Sequence, residues 1–168
     1  NNRICGNKSI NIELAIRCFK KALLIYEAKT FTEQWAMAQN NLANAYCDRI
    51  RGVRSENIEY AINCYNQALN VYSEEKFPLD WAMIQNNLAL IYRDRAYGNP
   101  SNNIELSIKH FEDALRIYKP KEIPNYCRVS SLRLGNLYLE RQSFSEAGKA
   151  YTQGIEAAEE LYKASIFQ

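Results

Sequence analysis

Histidine is nearly missing from this chain, with His110 alone among 168 residues. There is no Gly-rich phosphate loop, no His-Glu-x-x-His pair and no nucleophile elbow, which removes the common phosphate-transfer, zinc-hydrolase and serine-hydrolase signatures. Glycine and proline are scarce, at 6 and 4 residues, so neither a collagen-like nor a linker-rich chain is in view. No apolar run approaches the ~20 residues of a membrane span. The N-terminus, Asn1-Asn2-Arg3, has neither an initiator Met nor a signal-peptide stretch, and we read the chain as a fragment. Charge of one sign is also lacking. A net charge of +2 gives no strong field for nucleic acid or an anionic membrane. The five cysteines (Cys5, Cys18, Cys47, Cys64, Cys127) are an odd set without CxxC spacing, which fits free thiols in a reduced cytoplasmic setting.

What is present is repetition. Trp35 to Asp80 recurs as Trp81 to Tyr126, with 21 of 46 positions identical. The run Asn-Ile-Glu appears at 11–13, 57–59 and 103–105. A fixed period of this size marks an array of supersecondary units, each burying its apolar face against its neighbours. That favours a binding scaffold over a catalytic globule.

Each period holds two helical patterns. Trp35, Ala38, Leu42, Ala45 and Tyr46 carry the first; Ile58, Ala61, Ile62, Tyr65, Ala68, Leu69 and Tyr72 carry the second. Seven helices are expected, at 9–28, 33–50, 56–74, 79–96, 102–119, 124–141 and 144–163. The half repeat 1–34 is followed by repeats 35–80, 81–126 and 127–163, in one domain. Gly6, Gly52 and Gly98 share a loop position that suits positive φ. Asn11, Asn57 and Asn103 precede apolar-periodic runs and read as N-caps; Ser143 with Glu146 reads as a capping box. Ala43, Ala89 and Gly135 in the first helices, with Ala61, Ser107 and Ala147 in the second, are small residues flanked by large rings, a pattern for close antiparallel pairs. Trp35 and Trp81 should pack across the turns beside Phe31 and Phe77, and less fully where Cys127 replaces Trp.

Leu134-Gly135-Asn136-Leu137-Tyr138, then Ala147, Tyr151 and Gly154, resembles the tetratricopeptide repeat signature. The 46-residue copies keep it in Leu42-Ala43-x-x-Tyr46, Ala61, Tyr65 and Ala68, with about six extra residues in each turn. The resemblance covers nearly the whole chain, and the long unit is similar to repeat arrays of bacterial multidomain proteins, often linked to CHAT protease or NTPase domains absent here. It implies an all-α, right-handed α-solenoid of antiparallel helix pairs, without cofactor or metal, that binds a peptide or partner protein on the concave face of its first helices.

On that face would stand Met37, Asn40, Asn41, Asn44 and Asp48, then Met83, Asn86, Asn87, Leu90 and Asp94, then Val129, Leu132, Arg133, Asn136 and Glu140. An Asn amide can pair with both the N–H and the C=O of an extended backbone. Asn41 and Asn87 match the position that forms an asparagine ladder in members of the family. Arg133 breaks the ladder and would pair with a carboxylate, biasing the groove towards an acidic ligand. The bland alternative is that these amides hold helix spacing.

Asp48-Arg49, Asp94-Arg95 and Glu140-Arg141 end the first helices; each Arg would complement the helix dipole and each acid would pair with a neighbouring repeat. Cys18, Cys64 and His110 occupy equivalent positions, but a spacing of roughly 10 Å between successive pairs is too wide for one zinc ion. Arg49, Arg51, Arg54, Arg93 and Arg95 could edge a nucleic-acid site, yet interleaved acids and the small net charge argue against it. The remaining alternative is self-association through apolar ends, including Ile166-Phe167.

Overall fold

The structure, a computed structural model, describes residues 8–26 and 30–166. Gly6, the end of the first expected helix at Ala28 and the Phe167 tip lie outside the described residues. Among those described are seven helices and no strand: α1 (Lys8–Ile25), α2 (Thr32–Cys47), α3 (Arg54–Leu69), α4 (Pro78–Arg93), α5 (Pro100–Ile117), α6 (Pro124–Glu140) and α7 (Phe144–Ile166). This is the solenoid-like all-α class that the repeat implied. The chain divides into two compact units, residues 1–77 with 95–97, and residues 78–94 with 98–168.

In the first unit α2 packs against α1 and α3. Ala43, Ala61 and Tyr65 are all buried in it. In the second unit α4 pairs with α5 and α6 with α7, and α5 also packs on α6. Here the small positions touch: Ser107 Oγ donates to the Ala89 carbonyl at 2.7 Å. Phe111, Ala114 and Leu115 of α5 share one core cluster with Leu134 and Leu137 of α6 and Ala150 and Ala157 of α7.

The turns correct several expectations. Gly52 and Gly98 do take positive φ, at 79° and 85°. The helices after them begin earlier than expected, however, which places the Asn-Ile-Glu asparagines inside the first turns. α3 starts at Arg54 behind Val53, and α5 is capped by Asn99, whose side chain accepts from the N–H groups of Ser101 and Asn102. Asn57 is therefore not a cap. It is buried, donates Nδ2–H to the Arg51 carbonyl at 2.9 Å and accepts from Arg49 Nη1 at 3.3 Å, pinning the loop to the helix that follows. Asn11 and Asn103 are likewise helical. In the short last turn Gln142 adopts φ 59°; Ser143 N–H bonds the Tyr138 carbonyl and Gln142 N–H bonds that of Leu139, at 2.8 and 2.9 Å, a Schellman closure.

The acid-arginine pairs at the helix ends also differ from expectation. The arginine, not the acid, makes the inter-helix bond, and its partner is the glutamate of Asn-Ile-Glu. Arg49 meets Glu13 with bonds of 2.8 and 3.0 Å, Arg95 meets Glu59 at 2.7 and 2.6 Å, and Arg141 meets Glu105 at 3.3 Å. The paired fork geometry of the first two is the strong form of this contact. Two recurrent motifs thus form one latch, repeated along the chain. The aromatic turns repeat too: Tyr26 lies 5.9 Å from Phe31 and Tyr72 lies 5.3 Å from Phe77. Where Ile123 replaces the Phe, Tyr118 stacks on Tyr126 instead, at 5.1 Å. Trp81 lies beneath the Arg116 guanidinium. Cys127 is fully buried, with Sγ 3.8 Å from Ser131 Oγ. Cys18 is exposed; α1 packs on α2, and Ile16 is its one buried residue.

Candidate functional site

The first helices carry the expected polar residues, but in three different environments. Asn44 and Asn136 are committed to their own helix pairs. Tyr65 donates its hydroxyl to Asn44 Oδ1 at 2.5 Å, and Tyr151 donates to Asn136 Oδ1 at 2.7 Å. The intervening copy has Leu90 and Phe111 at the same two places, so amide and phenol are present together or absent together. That concordance is what a direct contact requires, since a buried tyrosine hydroxyl needs an acceptor.

Asn40 is almost fully buried in the first unit, and its Oδ1 has no hydrogen-bond partner. Asn41, one residue on, is half-buried, Asp48 is exposed and Met37 is exposed. In the second unit Asn87 is half-buried and already has a partner within the protein. Asp94 is exposed and paired with Arg93 at 2.9 Å.

The third environment is a cavity. Asn86 and Arg133 line a space of about 280 Å³ together with Asn125, Tyr126, Arg128, Val129 and Ser130. Ser130 Oγ donates to Asn86 Oδ1 at 2.9 Å, which fixes the amide and points its nitrogen away from the serine. Arg133 is half-buried, and no carboxylate pairs with it or with Arg128 among the described residues. Burial, and then the charge of nearby Arg93, pushes the Arg133 guanidinium below its ordinary range. It stays cationic, because an arginine pKa is far above neutrality. A desolvated cation beside like charge is a place where an anion is favoured.

Arg128, Asn125, Tyr126 and Ser130 were not among the residues singled out from the sequence. A signal existed. Arg128 stands where the other copies have Ala36 and Ala82, as Arg133 stands where they have Asn41 and Asn87. Departures from the repeat, not its constant positions, mark this cavity.

Other chemistry-bearing residues have ordinary surroundings. His110 stacks on Tyr92 at 5.3 Å and its Nδ1 lies 2.5 Å from Gln85 Oε1. Burial, then Lys109, pulls its pKa down to about 4, so the ring is neutral at pH 7. Burial raises the Cys47 and Cys64 thiols to about 11. A thiolate nucleophile needs the opposite shift. Among the described residues no group of His, Cys, Asp and Glu could hold a metal ion, and no helix is long and apolar enough to cross a membrane. Arg49 and Arg95, two members of the possible basic edge, are held by Glu13 and Glu59.

Stacked antiparallel helix pairs with a polar first-helix face define a TPR-like helical-repeat scaffold. Residues 15–166 match the model of the family described as soluble NSF attachment protein, SNAP, and the chain belongs to that family. No curated protein matches it.

Proposed function

We propose that the chain is a non-enzymatic scaffold that binds a peptide or partner protein on the first-helix face, with the Asn86–Arg133 cavity receiving an acidic group of the ligand. The observation that carries this reading is the pair Arg128 and Arg133: two guanidiniums without carboxylate partners, one of them half-buried, opening on a cavity whose amide is held ready by Ser130. A carboxylate entering there gains charge-assisted bonds that water supplies less well. The family description names attachment to a protein, NSF, which agrees with a protein partner in general. Asn41 and Asn87 belong to the same reading as amides that read backbone rather than sequence. So do a long 46-residue variant of the TPR-type pair, one continuous repeat domain and a cytoplasmic, bacterial parent.

The test uses immobilised peptides of one length in acidic, amide-neutralised and basic versions. The wild-type chain should retain the acidic set selectively, and Arg133→Gln should lose most of that retention, as should added salt. Equal retention of acidic and neutral peptides, or no change in Arg133→Gln, would remove the cavity from the binding site.

A further inference from the structure

Four departures from the repeat meet at the Asn86–Arg133 cavity. Arg128 stands in place of Ala36 and Ala82, and Arg133 in place of Asn41 and Asn87. Ser130, whose hydroxyl orients the Asn86 amide, stands in place of Ile84. Tyr126 stands in place of Asp80. The first turns of α2 and α4 carry Glu33 and Asp80, whereas the first turn of α6 carries no acid. Two cations are gained and a carboxylate is lost in one place. The positive end of the α6 dipole therefore adds to the guanidiniums instead of being offset.

The charge left over exceeds what one carboxylate can answer. Arg93, the third cation nearby, is held by Asp94 with bonds of 2.9 and 3.4 Å. Arg128 and Arg133 have no such partner among the described residues, and no Asp or Glu lines the cavity. A carboxylate brings one negative charge and two oxygens, which fill one guanidinium fork and leave the other cation unanswered. A phosphodiester brings one charge as well. A phosphomonoester brings a charge of about −1.5 to −2 and three acceptor oxygens, so both forks are filled at once. Asn86 adds to the fit: Ser130 takes its Oδ1, which leaves the amide N–H donors for the anion.

We propose, resting on the assignment of this cavity as the ligand site, that it takes the phosphorylated serine or threonine side chain of a peptide, with Arg128 and Arg133 forking the phosphate together. The partner protein would then be held in its phosphorylated form and released by dephosphorylation.

The test uses the full chain and labelled peptide pools of one length, with random uncharged flanks around a fixed central phosphoserine, aspartate or serine. Fluorescence anisotropy is read at a pH above the second phosphate ionisation, at about 6. The phosphoserine pool should bind about tenfold more tightly than the aspartate pool, the worth of one further charge-assisted pair, and the serine pool most weakly. Arg128 is exposed, so Arg128→Gln leaves the core untouched and helix content should be unchanged. That variant should lose about tenfold for phosphoserine and about twofold or less for aspartate, because one guanidinium suffices for a carboxylate; Arg133→Gln should weaken both. If aspartate and phosphoserine bind alike and both exceed serine, the acidic-ligand reading stands and the phosphate proposal falls. If neither exceeds serine, both fall. Displacement by inorganic phosphate at the concentration of the phosphoserine pool would mark a site for the free ion, and tighter binding of a single-stranded RNA than of that pool would mark a nucleic-acid face; either would overturn the proposal.

Discussion

Gly135 offers the sharpest test of how closely the last helix pair approaches. A Cβ built there would lie 2.6, 2.8 and 2.9 Å from Cε1, Cδ1 and Cζ of Tyr151, whereas carbon atoms rest at about 3.5–4.0 Å. The ring would have to retreat by about 1 Å, and it is tethered by its hydroxyl to Asn136 Oδ1 at 2.7 Å. Overpacking of this kind costs about 1–3 kcal/mol. Against it, alanine is about 1 kcal/mol better than glycine inside a helix. Gly135→Ala should therefore destabilise the α6–α7 pair by about 1 kcal/mol as the difference of these terms. In a Tyr151→Ala background the clash is gone, and the same change should stabilise by about 1 kcal/mol. The sign reverses, giving a coupling of about 2 kcal/mol. Amide hydrogen exchange in α6 and α7 reads the effect where it arises. If Gly135→Ala stabilises both backgrounds alike, the helices are not in the contact described. The other copies carry Ala43 and Ala89 at this place, each fully buried, so their pairs must already be spaced for a methyl group.

Two further outcomes are expected. Asn44→Leu should cost about 1–3 kcal/mol by removing the acceptor of the buried Tyr65 hydroxyl, whereas Asn44→Leu with Tyr65→Phe, which recreates the Leu90–Phe111 pair, should recover most of it; urea titrations of the four chains of that cycle would show additivity if the contact is absent. The Glu13–Arg49 latch should be sensitive to acid. The Arg49 hydrogen bond holds the Glu13 carboxyl below its ordinary 4.5, outweighing the upward effect of burial. A depressed carboxylate contributes stability that is complete above the unfolded value of 4.5 and is lost as pH falls through the folded value. Exchange protection of α1 should accordingly drop on acidification below about pH 4.5 and become flat with pH in Glu13→Gln; an unchanged acid response in Glu13→Gln would assign it to another group.

How much of this was legible in advance depended on the distance over which each feature is decided. The 3.6-residue periodicity of Ile58, Ala61, Ile62, Tyr65 and Ala68 placed α3, and the same reasoning placed the other helices, because burying one face of a helix is a local constraint on sequence. The positive φ at Gly52 and Gly98 was likewise local, as was the need for small residues at Ala89 and Ser107. Helix starts were misplaced because Asn57 and Asn103 have the side chains of N-caps, but Asn57 finds better partners in the loop backbone and the Arg49 side chain.

The sequence by itself determined an all-α repeat: the period, the helix pairs and the small-residue contacts follow from spacing alone. Only the tertiary structure decided which polar side chains meet. Arg49 and Glu13 are 36 residues apart, and either could equally have been a solvated surface charge until folding set α1 against α2. Arg128 and Arg133 became a site only when α6 was laid beside Asn86 of α4. Side-chain pairing between helices depends on relative height and rotation of the helices, which periodicity does not encode.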